Sequence, residues 1–214
     1  MNLKTRRFFG LVLIAAIVLP TTGCAYSGGP IEGRVLEEGT DKPIPGVIVV
    51  ARWEGTAFSF VENPTVCIHV ETATTDKDGR YRIPFWHASA EPAGVHGIEP
   101  IVTAYKAGYQ WPRKLPKSLD DEMQYLRPFV GTREERFKAS RIAGIKCPNA
   151  GSSQRNLIPL YKTIYEQLAT LALTKDEKLY ANSYLNAIEE IELPEEEATR
   201  RDLVRRERIR NENN

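Results

Sequence analysis

Residues 66–83 read Val66-Cys67-Ile68-His69-Val70-Glu71-Thr72-Ala73-Thr74-Thr75-Asp76-Lys77-Asp78-Gly79-Arg80-Tyr81-Arg82-Ile83. Two runs of period two flank an acidic, glycine-ended turn. Side chains alternate across a strand, so each run has one face for a core and one for water. Val66, Ile68, Val70, Thr72 and Thr74 make up the inward face of the first run, against Cys67, His69, Glu71 and Ala73. Tyr81 and Ile83 form the inward face of the second, against Arg80 and Arg82. Matching the faces sets Thr74 opposite Tyr81 and Thr72 opposite Ile83, with Thr75 and Arg80 closing a four-residue loop. Gly79 supplies the positive φ that such a loop needs. Asp76 and Asp78 lack the further oxygens and closing Glu of a calcium loop, so the stretch is read as a turn.

The same period extends outward in both directions. Ile31, Gly33 and Val35 alternate with Glu32 and Arg34. Val47, Val49, Ala51 and Trp53 form one face of a further run, and Ile101, Thr103 and Tyr105 close the series. Short alternating runs separated by turn signals predict an antiparallel sandwich over residues 31–109. Several of these residues recur as a set: Gly33-Arg34-Val35, Pro45-Gly46-Val47 with Val49, Thr75-Asp76 with Gly79, Tyr81 and Ile83, and Ala104-Tyr105-Lys106 with Gly108-Tyr109. The set resembles the carboxypeptidase regulatory-like domain, which implies a prealbumin-like β-sandwich and a non-catalytic accessory role. Relatives of that kind carry a short turn before the last strand, whereas Trp86 to Pro100 is expected here as a long loop.

Beyond Tyr109 the pattern changes. Residues 110–131 are expected to be a linker with an edge strand near Tyr125 to Phe129, where Pro128 disfavours a central position. Residues 132–194 are expected to be a helical extension. Thr132 with Glu135 and Thr174 with Glu177 are capping boxes, each opening a helix. The first helix is expected to run to about Ala143. Leu157, Tyr161, Ile164, Leu168, Leu171 and Ala172 recur at helical spacing, as do Tyr180, Tyr184, Ala187, Ile188 and Ile191 before Pro194. Residues 195–214 begin acidic and end basic, which suits a charged tail, helical or disordered. The fold class expected is therefore α+β, a sandwich followed by a small α-helical C-terminal extension.

At the other end, Lys4, Arg6 and Arg7 precede an apolar run from Leu11 to Leu19. That run is short for a spanning helix and suits an export signal over residues 1–23. Thr21-Thr22-Gly23-Cys24 resembles the lipobox of bacterial lipoproteins, which implies a diacylglyceryl group on Cys24 and a tether over residues 24–30. By the same resemblance, Ala25 after the cysteine implies the periplasmic face of the outer membrane. Gly23-Cys24-Ala25 also fits an ordinary signal-peptide cleavage site, and a retained signal anchor is the third possibility. Thr5-Arg6-Arg7-Phe8-Phe9 resembles a twin-arginine export motif.

Of 214 residues, 42% are hydrophobic and 27% charged, which excludes wholesale disorder. The 29 basic residues include Lys4, Arg6 and Arg7; the remaining 26 face 28 acidic residues, a net of −2. A faintly acidic body argues against nucleic acid as a partner. Of three cysteines, Cys24 is either lipidated or removed, leaving Cys67 and Cys147 as an even pair in an oxidising compartment. They are expected to form a disulfide on the outside of the sandwich, with a reactive thiol or a metal ligand as alternatives.

No cofactor motif, catalytic signature or complete metal set emerges. His96-Gly97-Ile98-Glu99 has the spacing of a carboxypeptidase zinc pair, yet no histidine follows His96 to supply a third ligand. No Gly-x-Ser-x-Gly or phosphate-binding glycine loop is present. The expected role is non-catalytic: a lipid-anchored envelope protein that binds or scaffolds, with the membrane and another envelope protein or a glycan as partners. The alternative is a small-ligand, glycan or metal-binding module on the 86–100 loop. There Trp86, His87 and His96, with Trp111 nearby, are the candidate contacts and Glu91 or Glu99 candidate metal partners. A Cys67/His69/Glu71 metal set is the alternative to the disulfide on that strand face, and an enzyme of unknown class is the third reading.

Overall fold

The computed structural model describes residues 26–59, 62–88, 94–111, 123–141, 145–148 and 150–194, with residues 197, 200 and 210. The signal region, Cys24, Glu91, half of the 110–131 linker and most of the charged tail lie outside the described residues. In chain order the strands are β1 (Ser27–Gly28), β2 (Ile31–Glu37), β3 (Ile48–Ala57), β4 (Thr65–Thr74), β5 (Arg80–Ile83), β6 (Trp86–His87), β7 (Val95–Tyr105) and β8 (Met123–Leu126). The helices are α1 (Arg133–Ser140), α2 (Ile158–Leu171) and α3 (Lys175–Glu192), with a 3-10 segment over Gly151–Leu157 ahead of α2.

Two three-stranded sheets, ordered β5-β2-β8 and β4-β3-β7, face each other, and β1 pairs with β6 as a separate ribbon. Val35, Val47, Val49, Ala51, Trp53, Tyr81, Ile83, Val102, Ala104 and Leu126 fill the space between them. The class is α+β, with mostly antiparallel pairing. One pair departs from the expected all-antiparallel sandwich: β8 runs parallel to β2, with Arg34 opposite Met123 and Glu37 opposite Leu126. β3 to β7 lie between β2 and β8 in the chain and supply the crossover that parallel neighbours need.

The runs flanking Asp76–Gly79 are not a hairpin. β4 pairs with β3 and β5 pairs with β2, so the turn carries the chain from one sheet to the other. The closing pair is Asp76 with Arg80, whose N–H and C=O bond at 2.9 Å, rather than Thr75 with Arg80. Asp76 Oδ1 accepts from the N–H groups of Asp78 and Arg80, both at 2.9 Å. Gly79 has φ of 72°, and a Cβ there would meet the Val35 carbonyl at 2.6 Å, so both conformation and space require glycine. Thr75 is released from the expected loop to bind across the sheets. Its hydroxyl donates to Ile44 O at 2.7 Å and accepts from Val47 N at 2.8 Å, and its own N–H donates to Val47 O.

The inward face of β4 also differs from the alternation read in its sequence. The register runs Arg52–Val70, Trp53–His69, then Glu54–Cys67, so Ile68 is an extra residue on β4. A β-bulge of this kind shifts the parity of everything beyond it. Ile68 packs between the sheets, whereas Val70 lies on the opposite face beside Cys67. Thr72, also expected inward, donates its hydroxyl to Asn156 O at 2.8 Å on the helical side.

The helices are a third layer on the outer face of β4-β3-β7. Ile48, Val50, Val70 and Tyr105 from the strands join Phe137, Leu157, Leu160, Tyr161, Ile164, Leu168, Ala181 and Ile188 in one core. The 3-10 segment docks along β4, where Asn156 Nδ2 donates to Val70 O at 3.0 Å and Ser153 Oγ accepts from Val70 N at 3.2 Å. This covers the polar edge of β4, which otherwise offers itself to another strand. Both capping boxes form as expected, at Thr132 with Glu135 and Thr174 with Glu177. α1 ends at Ser140, before the expected Ala143. Leu160 joins the buried face of α2 alongside Tyr161, Ile164 and Leu168.

Glu177 does more than cap. Its carboxylate accepts from Leu173 N at 2.7 Å and Thr174 N at 3.1 Å, and from Arg133 Nη1 at 3.0 Å. Arg133 also donates to Leu171 O at 2.6 Å, tying the start of α1 to the turn between α2 and α3. The two backbone N–H donors, then Arg133, pull the Glu177 carboxyl down to about 2 from its ordinary 4.5.

Two outcomes are expected. Thr75→Val leaves the buried Val47 N–H and Ile44 C=O without their shared partner, and should lower unfolding free energy by roughly 2 kcal/mol in urea titrations. Glu177 is depressed in the folded state, so its contribution is complete above pH 4.5 and fades as pH falls towards about 2. Glu177→Gln should therefore flatten the fall in urea midpoint across that acid window; an unchanged slope would show that Glu177 does not link folding to protons.

Candidate functional site: an aromatic cluster at the start of the sandwich

The bulge that shifts β4 parity turns His69 inward, opposite Trp53. On the facing side, β1 and β6 pair Gly28 with Trp86 and Ser27 with His87. These elements assemble a cluster of rings. His69 stacks on Trp86 with centroids 3.8 Å apart and planes 14° apart. Trp53 meets Trp86 edge-on at 5.2 Å and His69 at 5.5 Å, and Tyr26 tilts against Trp86 at 5.6 Å. Gly28 is the wedge that admits this packing: a Cβ there would lie 2.3 Å from Trp53 Nε1 and 2.7 Å from Trp86 Nε1.

His69 Nε2 lies 2.9 Å from Glu71 Oε1, two residues along the same face, and both side chains are more than four-fifths buried. Tyr26 donates its hydroxyl to Ile98 O at 2.7 Å, fixing the first described residue to β7. The Trp86 indole N–H is buried with no hydrogen-bond partner among the described residues. Beside the cluster, residues 26–32 with Trp53 and Pro100 line an open cleft of about 590 Å³.

A stacked imidazole with a carboxylate behind it is a stable packing unit. It has the composition of an acid–base dyad, but such a dyad also needs reach to a reacting proton. Here the ring face is covered by Trp86. Replacing one member of a mostly buried hydrogen-bonded pair strands the other, whereas replacing both with apolar groups often restores packing.

The expected contacts, Trp86, His87 and His96 on the 86–100 loop with Trp111 nearby, are not brought together. Trp86 is buried in the inter-sheet cluster. Trp111 packs beside Tyr105 at 5.9 Å, against the helical core on the other side of β4-β3-β7. His87 is exposed on β6, its ring 6.4 Å from that of Phe85. His96 is exposed on β7, opposite Thr56 on β3. The physical reason is that much of the expected loop is strand. β7 starts at Val95 and pairs with β3 as far as Tyr105, with a register shift near Gly97, whose φ is 63°. Glu99 accordingly sits opposite Glu54 in the sheet. Among the described residues, no group of three or more His, Cys, Asp or Glu side chains has the arrangement of a metal site.

Cys67 is bonded to Cys147, with Cα atoms 4.9 Å apart, and the two cysteines are 7% and 2% exposed. The bond joins the outer face of β4 to the segment between α1 and the 3-10 helix, the placement read from the sequence. It also disposes of the Cys67/His69/Glu71 metal set: bonded Cys67 faces the helices and His69 faces the other sheet.

His69 is the cluster residue that strand alternation did not single out. Its signal was the sequence Cys67-x-His69-x-Glu71, read as one outward polar face; the bulge at Ile68 splits that face in two. Comparison with protein-family models finds no matching family, and comparisons with curated proteins and with solved structures find no match.

A double-mutant cycle separates packing from chemistry at this cluster. His69→Leu should cost roughly 1–3 kcal/mol by stranding Glu71. The double change His69→Leu with Glu71→Met should recover much of that loss in urea titrations. A single change with no effect on stability would show that the pair does not hold the cluster together.

Proposed function

We propose that this chain is a lipid-anchored protein of the cell envelope, with a prealbumin-like sandwich of the carboxypeptidase regulatory-like kind and a non-catalytic role in binding or scaffolding. The observation that carries this reading is the disulfide between two buried cysteines that join the sandwich to its helical layer. A bond of that kind forms and persists in an oxidising compartment, as an exported chain would meet. The N-terminal basic residues, the apolar run and Thr-Gly-Cys24 supply the matching address. Among the described residues no helix is long and apolar enough to cross a membrane.

The resemblance to the regulatory-like domain draws support from where its residues converge. Pro45, Gly46, Val47, Thr75 and Lys106 meet at one end of the sandwich: Lys106 Nζ donates to Pro45 O at 3.0 Å and Gly46 O at 3.2 Å, beside the Thr75 bonds. A fold of this kind holds loops in place and does not itself define a reaction. A second reading, a small-ligand or glycan module, is favoured by the 590 Å³ cleft along residues 26–32, in place of the 86–100 loop.

The deciding experiment is fractionation of cells that express the native chain or its Cys24→Ser variant. The native protein should stay with membranes through a high-salt wash and the variant should appear in the soluble envelope fraction. Equal retention of both overturns the lipid anchor.

A further inference from the structure

The helices pack on β4-β3-β7, and among the described residues no helix packs on the outer face of β5-β2-β8. Strand alternation places Arg80 and Arg82 of β5, Glu32 and Arg34 of β2, and Met123 and Tyr125 of β8 on that face. Arg34 lies opposite Arg80 on one side and Met123 on the other. The Val35 N–H donates to Gly79 O, so the next pair, Arg34 with Arg80, is of the kind that exchanges no hydrogen bonds, whose Cα atoms lie about 4.5 Å apart. Like charges directly opposite each other destabilise a sheet. The acids nearby do not relieve this pair. Glu32 pairs with Arg82, and Asp76 Oδ1 is taken up by the N–H groups of Asp78 and Arg80. Asp78 offers Arg34 its backbone oxygen, which accepts from Nε at 3.2 Å and Nη2 at 3.0 Å. Among the described residues neither Arg34 nor Arg80 has a carboxylate oxygen within 4.0 Å.

We propose that this face docks an acidic segment of a partner protein: a carboxylate of the segment is held by Arg34 and Arg80 together, and its apolar side chains lie on Met123 and Tyr125. A carboxylate between the two guanidiniums replaces one repulsion with two attractions, and planar guanidinium forks match its geometry. Arg34 is already fixed by its bonds to Asp78 O, so less freedom is lost when it binds. Met123 and Tyr125 are 53% and 44% exposed beside the pair. Protein interfaces favour Arg, Met and Tyr and are poor in Lys, and none of the three strands holds a lysine. An anionic bilayer suits the face less well. Recognition of that kind uses clusters of about 4–8 basic residues, and Glu32 would meet like charge. This inference rests on the binding or scaffolding reading and does not need the lipid on Cys24.

The test is a nuclear magnetic resonance titration of the full chain, its disulfide intact, with the peptide acetyl-Glu-Leu-Glu-Leu-Glu-amide and with its Gln counterpart. The Glu peptide should shift the Arg34 and Arg80 Nε–H signals and the Met123 methyl signal in a saturable way. Binding should be several-fold weaker for the Gln peptide, and several-fold weaker for the Glu peptide on Arg80→Gln. That variant should keep or raise its urea midpoint, because it removes the like-charge pair. A clear fall in midpoint shows the pair to be structural and overturns the proposal. Equal binding of the Glu peptide to both chains overturns this face and leaves a binding role elsewhere standing. Absence of binding, or arginine shifts that inorganic phosphate reproduces while Met123 stays still, overturns the protein segment. A native chain that sediments with phosphatidylglycerol vesicles, or as a dimer, and loses that property in Arg80→Gln makes the bilayer or a second copy the occupant and overturns it as well.

Discussion

β3 is buried on both faces, and the architecture follows from that. Val49, Ala51 and Trp53 point into the space between the sheets, while Ile48 and Val50 point the other way into the helical core. All five are at most 7% exposed. A sandwich strand ordinarily keeps one wet face, so a strand that is apolar on both sides obliges its sheet to acquire a cover. α2 and the 3-10 segment supply that cover, with α3 packed on α2. The Cys67–Cys147 bond holds the cover in register from the neighbouring strand, closing a span of 80 residues. Chain-entropy arguments put its contribution at about 4–5 kcal/mol at most for a loop that long. The helices are therefore part of the sandwich's core and not an appendix to it.

The same constraint explains which parts of the fold could be read from the sequence. Helix starts were legible because a capping box is a local chemical unit: Thr132 with Glu135, and Thr174 with Glu177, satisfy the first backbone donors wherever the helix later packs. The inward set Val47, Val49, Ala51 and Trp53 was legible because β3 keeps strict alternation up to Trp53. The intervening Ile48 and Val50 were the sign that the other face is covered too. An edge strand does lie near Tyr125, but β8 runs Met123–Leu126 and shares only Tyr125 and Leu126 with the expected run, Pro128 falling beyond it. Its direction was not legible, because parallel and antiparallel edges present the same side-chain alternation.

What misled was local parity. Ile68 carries no mark that distinguishes a bulged residue from a paired one, yet it moves Val70 and Thr72 to the helical side and brings His69 into the core. The Asp76–Gly79 turn misled in a related way. Its chemistry specifies a tight reversal, but not whether the strand that follows pairs with its predecessor or crosses to the opposite sheet. That choice is made by Thr75, whose hydroxyl bridges Ile44 and Val47, and by Gly79, pressed against Val35. Both contacts join residues far apart in sequence, which is why a reading of neighbours alone could not find them.

The aromatic cluster shows the consequence for function. Sequence reasoning grouped Trp86, His87, His96 and Trp111 because a loop would leave them free to converge. In the structure β7 takes up His96, the inter-sheet core takes up Trp86, and the helical core takes up Trp111. In their place Trp86 gains His69, a residue from another strand, and Gly28, which has to be small for the rings to meet. The polar atoms of this cluster mostly serve packing: His69 bonds Glu71, and Tyr26 bonds the β7 backbone. Phe85 and His87 are among the groups left facing water beside it. Packing at the cluster thus decides which side chains by β1 are left to meet water.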